Sequence, residues 1–144
     1  MRLLRKLLSI PKARRRLLFE AAWSLLLARI MLRCLPFHRL AGYCSRRPTQ
    51  TEVAGPLRGS LCLDVGSAVE RMAALLPGRT VCFPQAIAAQ ALLRRRGVST
   101  TLYYGAREDR SLTAHVWIQD GDVGVIGMPR EGEYSVLAKY PYPV

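Results

Sequence analysis

One cysteine and one histidine in this chain are placed where nucleophilic chemistry would need them. Cys82 stands at the start of an apolar helical pattern that runs to Arg96, and His115 lies further along in an alternating pattern typical of a strand. The unpaired amides at a helix N-terminus favour the thiolate form of a cysteine and can bind the oxyanion of a tetrahedral intermediate. A histidine within hydrogen-bond reach can take up and return the proton. The sequence therefore predicts Cys82 as a nucleophile and His115 as its base, with about 3–4 Å between the sulfur and a ring nitrogen.

Two residues beside this pair have two interpretations each. Gln85, one helical turn after Cys82, is either a donor to the oxyanion or a solvent-facing helix residue. Trp117 shares a strand face with His115 because side chains alternate along a strand, so it either shields the imidazole or belongs to the core. The second histidine, His38, lies in a basic helical region and is expected to be far from the pair.

The remaining cysteines give no sign of a metal site. Cys34, Cys44 and Cys62 lack the context of Cys82, no two cysteines have C-x-x-C spacing, and the histidines do not complete a zinc pattern. These three cysteines are interpreted as small apolar residues. No cofactor and no metal are predicted. Because no cleavable signal peptide is visible, we expect a protein of the reducing cytoplasm.

The chain is strongly basic. It carries 22 Lys and Arg against 10 Asp and Glu, and twelve of the basic residues lie within residues 1–47, where Glu20 is the single acid. This excess favours an acidic partner or contact with an anionic membrane surface. Because no basic stretch is interleaved with aromatics, no nucleic acid partner is predicted. The Leu-rich run 17–35 contains Glu20, Arg29 and Arg33, so we expect a packed or interfacial helix and not a membrane span.

Periodicity divides the chain into helices followed by strands. Gly97 is expected to cap the helix that begins at Cys82, and residues 120–122 (Asp-Gly-Asp) to form a hairpin turn. This order indicates an α+β fold with a small antiparallel sheet packed on the Cys82 helix. Helices are predicted over 2–9, 12–34, 37–44, from a Ser67–Glu70 capping box to about 76, and over 82–96; strands are predicted over 98–104, 114–119, 123–126 and 134–137.

Composition suggests three parts within a length of 144 residues, which suits one ordinary domain. Residues 1–46 form a basic, Leu-rich helical region. Residues 47–60 are rich in Arg, Pro, Gly, Thr and Ser, which indicates a loop or linker. Residues 61–144 are expected to hold the catalytic core.

Several stretches together resemble one known family. They are Cys82-Phe-Pro-Gln-Ala-Ile-Ala-Ala89, Leu92-Leu-Arg-Arg-Arg-Gly97 and Ala114-His-Val-Trp-Ile118, with the basic Leu-rich opening and the closing Tyr134-Ser-Val-Leu137. In combination they are similar to the transglutaminase-like leader peptidases of lasso peptide biosynthesis, the stand-alone C-terminal form of the maturation protein usually called B. The resemblance covers nearly the whole chain. It implies a transglutaminase-like core of the papain-like cysteine protease superfamily.

The resemblance also implies an activity and partners. Such enzymes remove the leader from a ribosomally made precursor peptide. They work with a small leader-recognition protein and with an asparagine-synthetase-like cyclase that closes the macrolactam ring. The cyclase, and not this chain, would use ATP. Cys82 and His115 carry over as two members of the family's triad of Cys, His and an acid.

The acid of that triad has no direct counterpart. It is expected on the strand after His115, but if Gly121 centres the hairpin, the residue opposite is Gly127. The acid is therefore Asp122 through an irregular loop, Glu131 from the following segment, or absent, and Asp122 is the favoured choice. A non-catalytic, transglutaminase-like peptide-binding or membrane-surface adaptor is the alternative function. Acyl transfer is chemically open to the same cysteine and histidine.

Overall fold

The described residues of the chain follow the predicted order of elements. The computed structural model describes residues 10–48, 51–78, 81–108 and 111–141. Within these ranges four helices precede four strands, which confirms the α+β class. The helices predicted over 12–34 and 37–44 are confirmed, while the one predicted over 2–9 lies outside the described residues. The elements are α1 (Lys12–Cys34), α2 (Phe37–Cys44), α3 (Pro56–Leu75), α4 (Cys82–Arg95), β1 (Thr101–Glu108), β2 (Leu112–Asp120), β3 (Val123–Ile126) and β4 (Ser135–Tyr140).

The strands form one antiparallel sheet in the order β3-β2-β1-β4. β1 pairs with β2 along the whole length of β1 without a shift of register. β2 turns into β3 through Gly121 and Asp122, and Gly121 has the positive φ, +60°, that a two-residue hairpin turn favours. The predicted hairpin is thereby confirmed.

α4 is the central element of the core. Every residue from 86 to 93 is buried, and the helix contacts α1, α3 and the sheet. Its alanines let these neighbours approach closely, as the dense packing of a protein interior requires. Leu25 of α1, Val69 of α3, and Val116 and Ile118 of β2 belong to the same core cluster. The predicted sheet packed on the Cys82 helix is therefore observed.

Both ends of α4 agree with the sequence prediction. The helix begins at Cys82. Gly97 follows its last turn with φ +76°, and the Val98 amide donates to the Leu93 carbonyl at 3.0 Å. This is the arrangement in which a left-handed glycine satisfies the last carbonyls of a helix.

α3 begins earlier than the sequence predicts. It starts at Pro56, whose fixed φ suits the first helical position, and Gly55, with φ +71°, turns the chain into it. Ser67 therefore lies inside α3, where its hydroxyl donates to the Asp64 carbonyl at 3.1 Å, and the predicted capping box is wrong. The loop predicted over 47–60 is likewise wrong from residue 56 onward. Burial against α1 and α4 supplies the stability that the local composition of this helix lacks.

Two strands are displaced from their predicted positions. β1 begins at Thr101 and not at 98, because the chain after α4 first pairs with the loop before α3: the Val53 amide donates to the Gly97 carbonyl at 2.9 Å. β4 continues to Tyr140, which lies opposite Leu102 of β1. Cross-strand pairing, which is not a local property of the sequence, sets both limits.

One face of α1 packs against the core of the fold. Its buried residues are Leu18, Ala21, Ser24, Leu25 and Ala28. The expectation of a packed helix over the Leu-rich run is confirmed. No helix within the described ranges combines the length and the apolar character needed to cross a bilayer.

Exchanging Gly66 for alanine is expected to lower the free energy of unfolding by about 1–3 kcal/mol. A Cβ at Gly66 would lie 2.5 Å from the backbone carbonyl oxygen of Val125, so α3 and β3 would have to separate. Gly59→Ala in the same helix is the matched control, since in the described chain a Cβ there meets no atom within 4 Å beyond its own helix. That control should gain about 0.5–1 kcal/mol from helix propensity. Urea unfolding measures both, and effects of the same sign would contradict the close contact of α3 with β3.

Candidate active site

Cys82 is the first residue of α4 and follows an extended N-cap residue, Val81. An α-helix leaves its first amides without intrahelical acceptors, and here Pro84 contributes no N–H. No side chain in the described part of the chain caps this end, so the amides of Val81, Cys82 and Phe83 point out of it. The thiol is half-buried and borders the core. This arrangement can stabilise negative charge on the sulfur or on the oxygen of an acyl substrate.

The two faces of the sheet have different surroundings. Side chains alternate along β2, so Val116 and Ile118 point to one face and His115 and Trp117 to the other. Val116 and Ile118 belong to the core that includes α4. The helices therefore cover that face, and His115 lies on the opposite one. We call the opposite face the aromatic face; it carries Tyr103, His115 and Trp117, and Tyr134 packs on it.

His115 is held on the aromatic face by a backbone carbonyl and two rings. Its Nε2 lies 2.6 Å from the Gly127 carbonyl oxygen. A carbonyl oxygen only accepts, so Nε2 donates and Nδ1 is the basic nitrogen of the neutral ring. The imidazole centroid lies 5.9 Å from the Trp117 ring and 5.1 Å from the Tyr134 ring. The orientation of His115 is thus set without a carboxylate, and the predicted sharing of a face with Trp117 is confirmed.

The structure does not bring the predicted pair together. Cys82 opens the helix that packs on one face of the sheet, and His115 projects from the other. Among the described residues no hydrogen bond joins the Cys82 thiol to the His115 ring. A hydrogen-bonded contact of about 3–4 Å is therefore not observed in this structure, and the catalytic roles of Cys82 and His115 stay predictions. The reason lies in β2: burial against α4 favours the aliphatic Val116 and Ile118 over a polar imidazole, and alternation then directs His115 away from the helices.

The residues predicted to support Cys82 and His115 lie in a turn, in a loop and in the first turn of α4. Asp122 is exposed in the turn between β2 and β3, and Glu131 is exposed in the segment between β3 and β4. Gln85 is half-buried, one turn into α4. The hydrogen bond of the His115 ring goes to Gly127 and not to a carboxylate. The roles assigned to Asp122 and Gln85 stay predictions.

Two contributions to the aromatic face were not predicted. Gly127 has φ +71°, and a Cβ there would lie 3.1 Å from a backbone carbonyl oxygen of β2, so glycine lets its own carbonyl reach His115. A hairpin centred on Gly121 would place Gly127 opposite His115, but Asp120 pairs with Val123 and a register shift follows, so the contact with Gly127 arises from an irregular hairpin. Arg107 lies over the Tyr134 ring at 5.3 Å and binds Glu133 at 2.7 Å. No local pattern predicts that contact, because Arg107 and Glu133 lie on different elements.

The other cysteines differ in their environments. All four cysteines are free thiols, with Cys34 exposed at the end of α1 and Cys44 and Cys62 buried. Burial raises the pKa of Cys44 to about 11 against the opposing charge of Arg94. Burial, with the negative charge of Asp120, also raises the pKa of Cys62. Within the described residues, no cluster of three or more His, Cys, Asp or Glu side chains is placed to hold a metal ion.

Iodoacetamide at neutral pH is expected to modify Cys82 at least about tenfold faster than Cys34, because amides at a helix start stabilise sulfur as an anion. Cys44 and Cys62 should react only on unfolding, since burial protects them and keeps them protonated. Peptide mass spectrometry after timed quenching measures the four rates. In urea the rates should converge. Rapid native labelling of Cys44 or Cys62 would contradict their burial.

A family profile described as the transglutaminase-like superfamily matches residues 22–139. The chain belongs to this superfamily. Neither a curated protein nor a solved structure matches it. The superfamily match begins inside α1 and ends inside β4, so it includes both Cys82 and His115.

Members of the transglutaminase-like superfamily are typically cysteine-protease-like. A thiol at a helix start followed by a histidine on a strand agrees with that chemistry. The predicted transglutaminase-like fold is thereby confirmed. The match is to the superfamily as a whole, and it does not separate leader peptidases from its other members.

Proposed function

We propose that this chain is a cysteine peptidase that removes the leader peptide from a ribosomally synthesised lasso peptide precursor. The observation that carries the proposal is Cys82 at the first position of α4, in a member of the transglutaminase-like superfamily. The stretches 82–89 and 114–118 resemble the lasso peptide enzymes. In this proposal the chain acts with a leader-recognition protein, and an asparagine-synthetase-like cyclase then closes the ring of the released core peptide.

In the proposed mechanism the Cys82 sulfur attacks the carbonyl carbon of the bond between leader and core. The thiol proton passes to Nδ1 of His115 and then to the nitrogen of the core peptide as the C–N bond breaks, which leaves the leader as a thioester on Cys82. Water, deprotonated by the same imidazole, hydrolyses the thioester and restores the thiol. The amides at the start of α4 bind the oxyanion in both steps.

The catalytic form in this proposal differs from the structure in one respect. Nδ1 of His115 has to reach the Cys82 sulfur, which requires the segment of β2 around His115 to turn this side chain from the aromatic face toward the start of α4. Binding of the precursor and its leader-recognition protein would supply the interactions that drive such a change. In this form the Gly127 carbonyl takes the place of the triad acid if its segment moves together with His115 and keeps accepting from Nε2, as it does in the structure. Asp122 is the alternative third member.

A non-catalytic adaptor is the second candidate function. One observation favours it: Cys82 and His115 lie on different sides of the sheet. An adaptor would hold the precursor, or sit on a membrane surface, while another protein performs the cleavage. Acyl transfer is a further outcome, in which an amine replaces water as the acceptor of the same thioester.

Mass spectrometry of the precursor after incubation with this chain and the leader-recognition protein tests the proposal. Two fragments should appear whose masses add up to the precursor plus one water. An intact precursor that co-purifies with the chain would favour the adaptor. A leader fragment that carries an added amine in place of water would identify acyl transfer. If the precursor is neither cleaved nor bound, the proposed function is refuted.

A further inference from the structure

Large apolar side chains line the outer face of α1. They succeed one another at intervals of four, three and four residues, and positions three and four apart share a helix face. The buried residues of α1 lie on the opposite face and hold the helix on the core. We call the exposed set the outer stripe. Its members and their exposed fractions are Phe19 (67%), Trp23 (61%), Leu26 (44%) and Ile30 (49%).

Cations border the outer stripe at both ends. Arg16 and Lys12 are exposed, one and two turns before Phe19. Arg33 is exposed about one turn after Ile30. The outer face of α1 is therefore an apolar centre between two basic ends.

The acid of α1 does not offset these cations. Glu20 is bound by Arg16 and by Arg96. Burial opposes ionisation of Glu20, but the hydrogen bonds and charges of Arg96 and Arg16 outweigh it and lower its pKa. The carboxylate is thus ionised and already engaged, so it does not present a free negative charge beside the outer stripe.

We propose that the outer stripe docks this chain on a membrane surface that contains anionic lipids. A helix in the plane of the interface buries Trp, Phe and Leu side chains at the level of the acyl chains and places cations at the headgroups. The outer stripe and its basic ends supply both, on a helix that the core already holds in shape. The net charge of +12 adds long-range attraction to an anionic surface. The proposal does not depend on peptidase activity.

Charge decides against a second copy of this chain as the occupant. Antiparallel pairing of two outer stripes would bring Lys12 and Arg16 of one copy beside Arg33 of the other. Parallel pairing would align the same cations directly. Both arrangements place like charges together, which disfavours association. Anionic headgroups neutralise both basic ends at once.

Cosedimentation of the full chain with vesicles tests the proposal. Vesicles of phosphatidylcholine with about 30% phosphatidylglycerol should bind the chain at least about tenfold more strongly than pure phosphatidylcholine. Replacing both Phe19 and Trp23 with serine should weaken binding at least about tenfold. Leu112→Ser, at another exposed apolar position but on β2, should leave binding unchanged. Circular dichroism of the variants checks that these surface changes preserve the fold.

Trp23 provides an independent readout. The chain has two tryptophans, of which Trp117 is buried, so docking should shift mainly the Trp23 emission to shorter wavelength. Trp23→Phe should keep the binding and lose the shift.

Three results would overturn the membrane assignment. They are failure to bind anionic vesicles, vesicle binding that survives the Phe19 and Trp23 double substitution, and an unshifted Trp23 emission on vesicles. The chain could instead fail to bind vesicles and associate with itself or with a protein partner. If the Phe19 and Trp23 double substitution abolished that association, the outer stripe would be assigned to a protein interface.

Discussion

Cys82→Ala should slow leader release by more than about a thousandfold, because the thioester route needs the sulfur itself. The fold should be unaffected, since Cys82 is half-buried at a helix end and alanine suits the first turn. Single-turnover cleavage of the precursor, followed by mass spectrometry, measures the rate. The melting temperature and circular dichroism of the variant show whether the structure is retained.

Two further variants make the Cys82 result specific. Cys34→Ala replaces an exposed free thiol outside the candidate site and should cleave at the wild-type rate. His115→Ala should cause a loss similar to that of Cys82→Ala if the imidazole reaches the sulfur in the catalytic form. Full activity of His115→Ala would show that another group is the base, and that the separation seen in the structure persists during catalysis. Full activity of Cys82→Ala would exclude the thiol mechanism.

Arg58→Ala should lower the free energy of unfolding by about 2–4 kcal/mol. Arg58, in the first turn of α3, donates to both Asp120 carboxylate oxygens at 2.7 Å and to the Val53 and Ser99 carbonyls at 3.1 and 2.8 Å. The pair is largely shielded from water, and the hydrogen bond to Asp120 is the main cause that raises the pKa of Arg58. Alanine would remove these four hydrogen bonds and leave the Asp120 carboxylate beside the Cys62 thiol without its cation.

Matched variants separate the buried pair from ordinary surface charge. Arg16→Ala removes an exposed ion pair with Glu20 within one helix and should change the free energy of unfolding by less than about 0.5 kcal/mol. Arg58→Met combined with Asp120→Asn should recover part of the loss, because no shielded charge is then left unpaired. Urea denaturation compares all of these variants. If Arg58→Ala lowered the free energy of unfolding no more than Arg16→Ala does, the ion pair of Arg58 with Asp120 would not stabilise the contact of α3 with β2.

Local signals account for the elements that the sequence predicts well. Pro84 in the first turn of α4 and Gly97 after its last turn act on their own neighbours, so both ends can be placed without tertiary information. The start of α3 is different. Gly59 and Gly66 weaken this helix locally, and Gly66 is explained only by its close approach to the Val125 carbonyl of β3, which comes much later in the chain.

The candidate site likewise has features that the local sequence predicts and features that depend on tertiary packing. Alternation along β2 predicts that His115 and Trp117 share a face, and their ring centroids lie 5.9 Å apart. Burial decides which face of β2 meets α4. The aliphatic residues Val116 and Ile118, which alternate with His115 and Trp117, indicate that their own face is the buried one. The chemistry of Cys82 and His115 indicates which residue types could react but not the side of the sheet on which each lies, because tertiary packing sets that side.

The position of α4 between α1 and the sheet gives the chain a polarity. The outer stripe points away from the core on one side, and the aromatic face points away from it on the other. On a lipid surface, His115 and its neighbours would therefore be turned toward the aqueous phase, where a peptide can arrive without displacing lipid. Two ligands that touch no common residue need not compete. If the precursor binds beside His115, its affinity for the chain should thus be the same in solution and on vesicles, which means a coupling free energy close to zero.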